Sequence, residues 1–280
     1  MQAISENPDG VINQIFRRSK ALIGMIHCPP FPGSPRYRGE SLNQIYDACL
    51  RDAEFLVNNG LHGLIVENHG DVPFSKPDDI GPETPAFMAV VVERIKRNFD
   101  VPIGINVLAN APITAFAIAR ATDSAFIRVN QWANAYIANE GFMEGRAAQA
   151  MRFRSALRGE GIKVFADSHV KHGSHSITSD RSIGELTRDL DFFDVDAVIA
   201  TGHRTGDSAT MEEIEEVADA TSLPVLVGSG VDADNIAQIL TRASAVIVAS
   251  SLKKDGVWWN PVDPEKVRSF VTAATPALET

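Results

Sequence analysis

Short apolar runs alternate along this chain with longer stretches in which apolar positions recur every three or four residues. Runs of the first kind read as strands covered on both faces, and stretches of the second as amphipathic helices that do the covering. The pattern predicts strands at 21–28, 63–70, 102–110, 125–132, 163–170, 196–202, 224–227 and 245–249. It predicts helices at 42–58, 85–99, 112–122, 144–159, 183–192, 211–220, 234–242 and 264–275, with Ser41 and Thr84 as caps of the first two. The segment between the fourth strand and its helix reads as irregular. Strict alternation with no spare strands predicts the α/β class and, within it, a single-domain (β/α)8 TIM barrel over residues 20–280, behind a lead-in segment at 1–19.

Composition narrows the setting. A chain of 280 residues with 44% hydrophobic content can bury a large core, and its net charge of −10, without a basic run or aromatic-basic ribbon, argues against nucleic acid as a partner. Cys28 and Cys49 lie outside any CxxC or metal-type spacing and read as reduced thiols of a cytoplasmic protein. The first twenty residues lack the apolar core of a signal peptide, and no run of eighteen apolar residues follows, so no transmembrane segment is expected. The apolar stripe of the second predicted helix, with Phe87, Val90, Val91 and Ile95, suits packing against the core or a second copy, and a homo-oligomer is expected.

Candidate chemistry gathers where strands end. The stretch PVLVGSGVDADNIAQILTRASAVIVASS carries Gly228, Ser229 and Gly230 after one strand and Ser250 and Ser251 after the next. Glycines let backbone amides approach an anion, a helix N-terminus adds partial positive charge, and two such turns closing a βα barrel form a phosphate site. The alternative is that the two glycines serve only a tight turn.

On the fifth strand Asp167, His169 and Lys171 share one parity and face the barrel mouth if Phe165 points inward, as candidate general base, general acid and anion clamp. Arg128 and Asn130 on the fourth strand and Asn106 on the third point the same way, and Arg128 requires a carboxylate partner, Asp167 or Glu67. Glu67 is the second catalytic candidate beside Asp167, with Asn68 next to it and His27 at the end of the first strand. Thr201, Gly202, Thr205 and Gly206 at the end of the sixth strand suit a polyol or phosphate, or else form only a flexible loop, while the histidines 172, 175 and 203 lie in loops. No cofactor is predicted; a divalent metal held by His27, Glu67, Asp167 and His169 has no supporting spacing. Each of these groups also has a structural reading, as a salt-bridge partner or a loop residue.

Taken in order, GMIHCPPFPGSPRY, GLIVENHGDVPF, FIRVN, ADSHVKH and the closing VGSGV with IVASSLKKDG resemble the BtpA/SgcQ family of TIM-barrel proteins. The resemblance implies a barrel over nearly the whole chain. One namesake of that family is linked to photosystem I biogenesis and the other is described as a nucleosidase or sugar-metabolism protein. The chain departs from the family pattern at HRTGDS and in its double-tryptophan tail. Two expectations follow: an enzyme acting on a small phosphorylated sugar or nucleoside-type ligand, and, as the alternative, a non-catalytic assembly factor. Asp167→Asn is expected to abolish turnover with little loss of stability if Asp167 is catalytic.

Overall fold

The computed structural model describes residues 10–202 and 208–279. Eight parallel strands close into a barrel: β1 (Ala21–His27), β2 (Gly63–Glu67), β3 (Ile103–Asn106), β4 (Phe126–Val129), β7 (Lys163–Asp167), β8 (Ala197–Ala200), β9 (Val225–Val227) and β10 (Ala245–Val248), with β1 beside both β2 and β10. The helices α2 (Leu42–Asn58), α3 (Glu83–Asn98), α4 (Pro112–Ala121), α5 (Ala147–Ala156), α6 (Ile183–Phe192), α7 (Met211–Ala220), α8 (Ile236–Ile239) and α9 (Pro264–Leu278) follow the strands and cover the barrel. A further helix, α1 (Gly10–Phe16), precedes the first strand.

Side-chain parity divides the core in two. Outward-facing strand residues such as Leu22, Leu64, Ile127, Val164 and Val198 pack with the apolar faces of the helices. Inward-facing Ile23, Met25, Ile65, Phe126, Phe165, Ile199, Leu226 and Ile247 fill the barrel itself, as expected of a barrel whose interior is packed rather than open. Helix α1 closes its N-terminal end: Ile12 and Phe16 are buried in the interior cluster, and the Phe16 ring meets Phe126 edge-on at 5.9 Å. Phe126 stacks on Phe165 at 4.5 Å. This large pair fits because the inward position on β3 is Gly104, where a Cβ would lie 2.2 Å from the Phe126 ring.

Helix boundaries follow local chemistry. Ser41, Ser182 and Thr210 close reciprocal capping boxes with Gln44, Glu185 and Glu213. Helix α3 starts earlier than Thr84 would place it, with Pro82 at the cap position, because proline's fixed φ is preorganised for a first turn. Helix α8 is far shorter than the predicted 234–242. The Asp232 carboxylate accepts from the amides of Asp234 and Asn235, which forms a turn where the first helical turn was expected.

The irregular segment after β4 is an antiparallel hairpin of β5 (Ala135–Ala138) and β6 (Gly141–Glu144), and α5 begins only after it. Tyr136 and Met143 point inward from the hairpin while Ile137 and Phe142 are exposed, the alternation of a strand pair rather than of a helix. Outside the barrel, the buried Lys253 ammonium is bonded to Asp52 of α2, whose other oxygen accepts from the Val262 amide at 2.8 Å.

Gly104→Ala is expected to destabilise the fold by about 1–3 kcal/mol through overpacking against Phe126. Adding Phe126→Leu is expected to recover part of that loss in urea melts, which tests whether the ring is the obstacle.

Candidate functional site

The C-terminal ends of the strands surround a cavity of about 600 Å³, a volume suited to a small-molecule ligand. Three groups of side chains form its wall. The first comes from β1 and β2, where His27 and Glu67 are neighbours in register and His69 follows two residues later. His69 Nδ1 is 2.7 Å from Glu67 Oε1, and His27 Nε2 is 3.7 Å from the same oxygen. The two imidazoles stack at 4.5 Å beneath Trp258, whose ring lies 4.3 Å from His69.

His27 Nδ1 lies 3.2 Å from the Trp258 carbonyl, which can only accept, so that nitrogen carries the proton and Nε2 is bare on the Glu67 side. Burial, reinforced by the neighbouring His69, lowers the His27 pKa to about 3. Burial acts to raise Glu67, but its hydrogen bond to His69 and the nearby imidazole charge prevail and bring its pKa down to about 2. Near neutral pH the pair is therefore a neutral imidazole beside a carboxylate.

The second group is the cavity floor. Arg128 donates through Nε and Nη2 to the two oxygens of Asp167, each at 3.1 Å, and Asn130 donates to Asp167 at 3.2 Å. Asn106 donates to the Arg128 carbonyl at 3.2 Å, and its own side-chain oxygen is buried with no hydrogen-bond partner among the described residues. Burial acts against the Arg128 charge, and the Asp167 carboxylate overcomes it and holds the guanidinium pKa above its ordinary value. Arg128 and Asn130 reach the cavity wall, whereas Asp167, 2% exposed, lies behind them.

The third group comes from the ends of β7, β9 and β10, the last of them beside β1. Gly228, Ser229, Gly230, Ser250 and Ser251 line the cavity together with Lys171, whose Nζ is 3.4 Å from Ser229 Oγ. A Cβ at Gly228 would meet Ile199 at 2.7 Å, and Gly230 has φ +60°, so packing and turn geometry both favour this glycine pair. Ser251 donates to the Val231 carbonyl at 2.6 Å. Just ahead of helix α8 the Asp232 carboxylate accepts from the amides of Asp234 and Asn235. Burial, followed by the Arg128 charge, lowers the Lys171 pKa to about 8.

Other candidates lie away from the wall. His169 stacks on His175 at 3.7 Å, and its carbonyl accepts from Thr201 at 2.8 Å. Asn68 brackets Leu108, accepting from its amide at 2.8 Å and donating to its carbonyl at 3.3 Å. Thr201 and Gly202 are buried at the end of β8, outside the cavity wall. Residues His203, Thr205 and Gly206 lie outside the described residues. Of the groups considered for a metal, His27 and Glu67 come together with His69 as the third member, while Asp167 is engaged by Arg128 and His169 by His175.

His69 was legible by the parity argument, since it is two residues beyond Glu67. Tyr136, on the cavity wall from the hairpin, and the Trp258 carbonyl carry no such signal.

A closed (β/α)8 barrel with a cavity at the C-terminal ends of its strands is an enzyme-like fold. The chain belongs to the BtpA family, whose profile matches residues 18–276. A protein of Archaeoglobus fulgidus is 38% identical over 255 residues, covering 91% of this chain and 98% of its own. The photosystem I biogenesis protein BtpA of Synechocystis is 34% identical over 271 residues, covering 95% and 92%.

Among solved structures, a Mycobacterium tuberculosis tryptophan synthase superposes with a TM-score of 0.61 at 15% identity, covering 97% of each chain. The (S)-3-O-geranylgeranylglyceryl phosphate synthase of Thermoplasma acidophilum, in complex with sn-glycerol-1-phosphate, superposes with a TM-score of 0.58 at 13% identity over 100% of each chain. The Pyrococcus furiosus N-(5'-phosphoribosyl)anthranilate isomerase does so with 0.56 at 15%, covering 92% and 99%. At these identities the likeness concerns the fold. No helix among the described residues is long and apolar enough to cross a membrane.

The floor geometry changes what Asp167→Asn should do. Removing that charge strands a buried guanidinium, so the variant is expected to lose about 3–5 kcal/mol. Asp167→Asn with Arg128→Met is expected to regain much of it. An Asp167→Asn melting curve matching the parent would show that Asp167 does not carry this load.

Proposed function

We propose that this chain is an enzyme acting on a small phosphorylated sugar or nucleoside-type ligand, with nucleosidase, isomerase or lyase chemistry. The observation that carries this reading is that one cavity holds both the glycine-serine turns with Lys171 and the group of His27, Glu67 and His69. Gly228, Ser229, Gly230, Ser250 and Ser251 hold the phosphate through backbone and hydroxyl contacts, and Lys171 supplies the cation. Arg128 and Asn130 contact the body of the ligand from the floor, fixed in place by Asp167 and Asn106.

Proton transfer falls to the group of His27, Glu67 and His69. Glu67, held ionised, orients His69, the more exposed of the pair, to give or take a proton at the reacting carbon or leaving group. Asp167 is assigned to positioning, because both of its oxygens are occupied by Arg128 and Asn130. Phosphate-bearing compounds named for two of the superposed barrels lend support to the ligand class. Two buried, unpaired cysteines support a reducing, cytoplasmic setting, and we propose a homo-oligomer there.

The first test is a thermal-shift screen against phosphorylated sugars, nucleosides and nucleotides, in which a ligand at 100 times its Kd adds about 2.7 kcal/mol of stability. A hit among phosphorylated compounds is expected. A flat response to all of them would overturn the enzyme reading in favour of a non-catalytic biogenesis factor.

A second test isolates Lys171. Phosphate-ligand affinity is expected to fall as pH rises through about 8, where the ammonium loses its proton. Lys171→Met is expected to weaken binding at pH 7 by roughly 10-fold or more, the loss of one charge-assisted hydrogen bond, and to abolish that pH dependence in calorimetric titrations. Retention of the pH dependence in the variant would assign it to another group.

A further inference from the structure

We propose that His27, Glu67 and His69 form a binding site for one first-row divalent cation, with zinc as the reference ion, on the cavity wall. Two imidazoles and one carboxylate are a ligand set that such ions favour, whereas magnesium and calcium prefer all-oxygen surroundings. One ligand atom from each residue lies within 4.8 Å of the others. A cation with bonds of about 2.1 Å sets its ligand atoms roughly 3.0–3.4 Å apart. The Glu67 oxygen is 2.7 Å from His69 Nδ1 and 3.7 Å from His27 Nε2, so small side-chain movements bring the three onto one coordination sphere.

Three further observations point the same way. The Trp258 carbonyl holds the His27 Nδ1 proton and leaves Nε2 bare toward Glu67, which is the outer-sphere arrangement that fixes a ligating histidine. Glu67 is a carboxylate 5% exposed whose ion-pair partners among the described residues are both imidazoles, while the nearby Arg128 is engaged by Asp167. On the adjacent strand Asn106 is in register with Glu67, and its buried side-chain oxygen has no hydrogen-bond partner among the described residues. All three ligand residues line the cavity, so coordination positions not taken by protein face the ligand space. The inference rests on the same wall as the enzyme reading and changes its chemistry: with the cation bound, a coordinated water takes over the proton transfer assigned to His69.

The test uses the full chain stripped with a chelator and titrated with Co²⁺ and Zn²⁺, read by visible absorption, calorimetry and tryptophan fluorescence. One ion per chain is expected, with ligand-field absorption for Co²⁺ and quenching of tryptophan emission, since Trp258 roofs the site. Glu67→Gln and His69→Gln are each expected to weaken binding at least 10- to 100-fold, the loss that removal of an outer partner alone can cause. Each variant is checked for folding by its metal-free melting curve. His69→Gln, at the more exposed position, serves if Glu67→Gln does not fold. Absence of binding by the parent chain, or equal binding by a folded variant, overturns the proposal. No substrate enters these measurements, so the result stands apart from the phosphate-ligand screen.

Discussion

A guanidinium and a carboxylate lie side by side at the boundary between the apolar interior of the barrel and its open end. Below them Phe126, Phe165 and Ile199 leave no room for water; above them the cavity begins. Each ion alone would be costly to remove from water at that depth, and the bidentate geometry makes their joint burial tolerable. The consequence is a fixed floor. Arg128 presents its outer face in one orientation, and Asn130 and Asn106 are set by the same network.

The site then divides labour by electrostatics. One wall collects backbone turns, hydroxyls and a lysine, and the other collects two imidazoles and an ionised carboxylate. The chain as a whole is acidic, at −10, so the positive charge at this cavity is local and comes from Lys171 and Arg128. Such a division fits a ligand charged at one end and reacting at the other.

Much of this was legible in the sequence, and what was not has identifiable causes. The strand-helix alternation gave the barrel, and the inward Phe165 correctly implied inward Asp167, with Arg128 following from parity on its neighbour. Parity reports direction but not depth, so it did not distinguish Asp167 behind the floor from Lys171 on the wall. The hairpin after β4 reads as irregular in the sequence because the alternation around Tyr136 and Met143 is too short to stand out. Helix α8 was overestimated because the Asp232 carboxylate forms a turn that periodicity does not register. Thr201 and Asn68 sit at strand ends as read, yet their hydrogen bonds go to the protein's own backbone.

The carbonyl of Trp258 acts on His27 from a segment beyond the last strand, and that segment is anchored through Lys253 to Asp52, on the first covering helix. The protonation pattern at the end of β1 is thus secured from outside the barrel. Substitutions on helix α2 can reach His27 without touching it, by loosening the strap whose carbonyl holds one of its ring nitrogens. The surface of this barrel and its chemistry are joined at that strap.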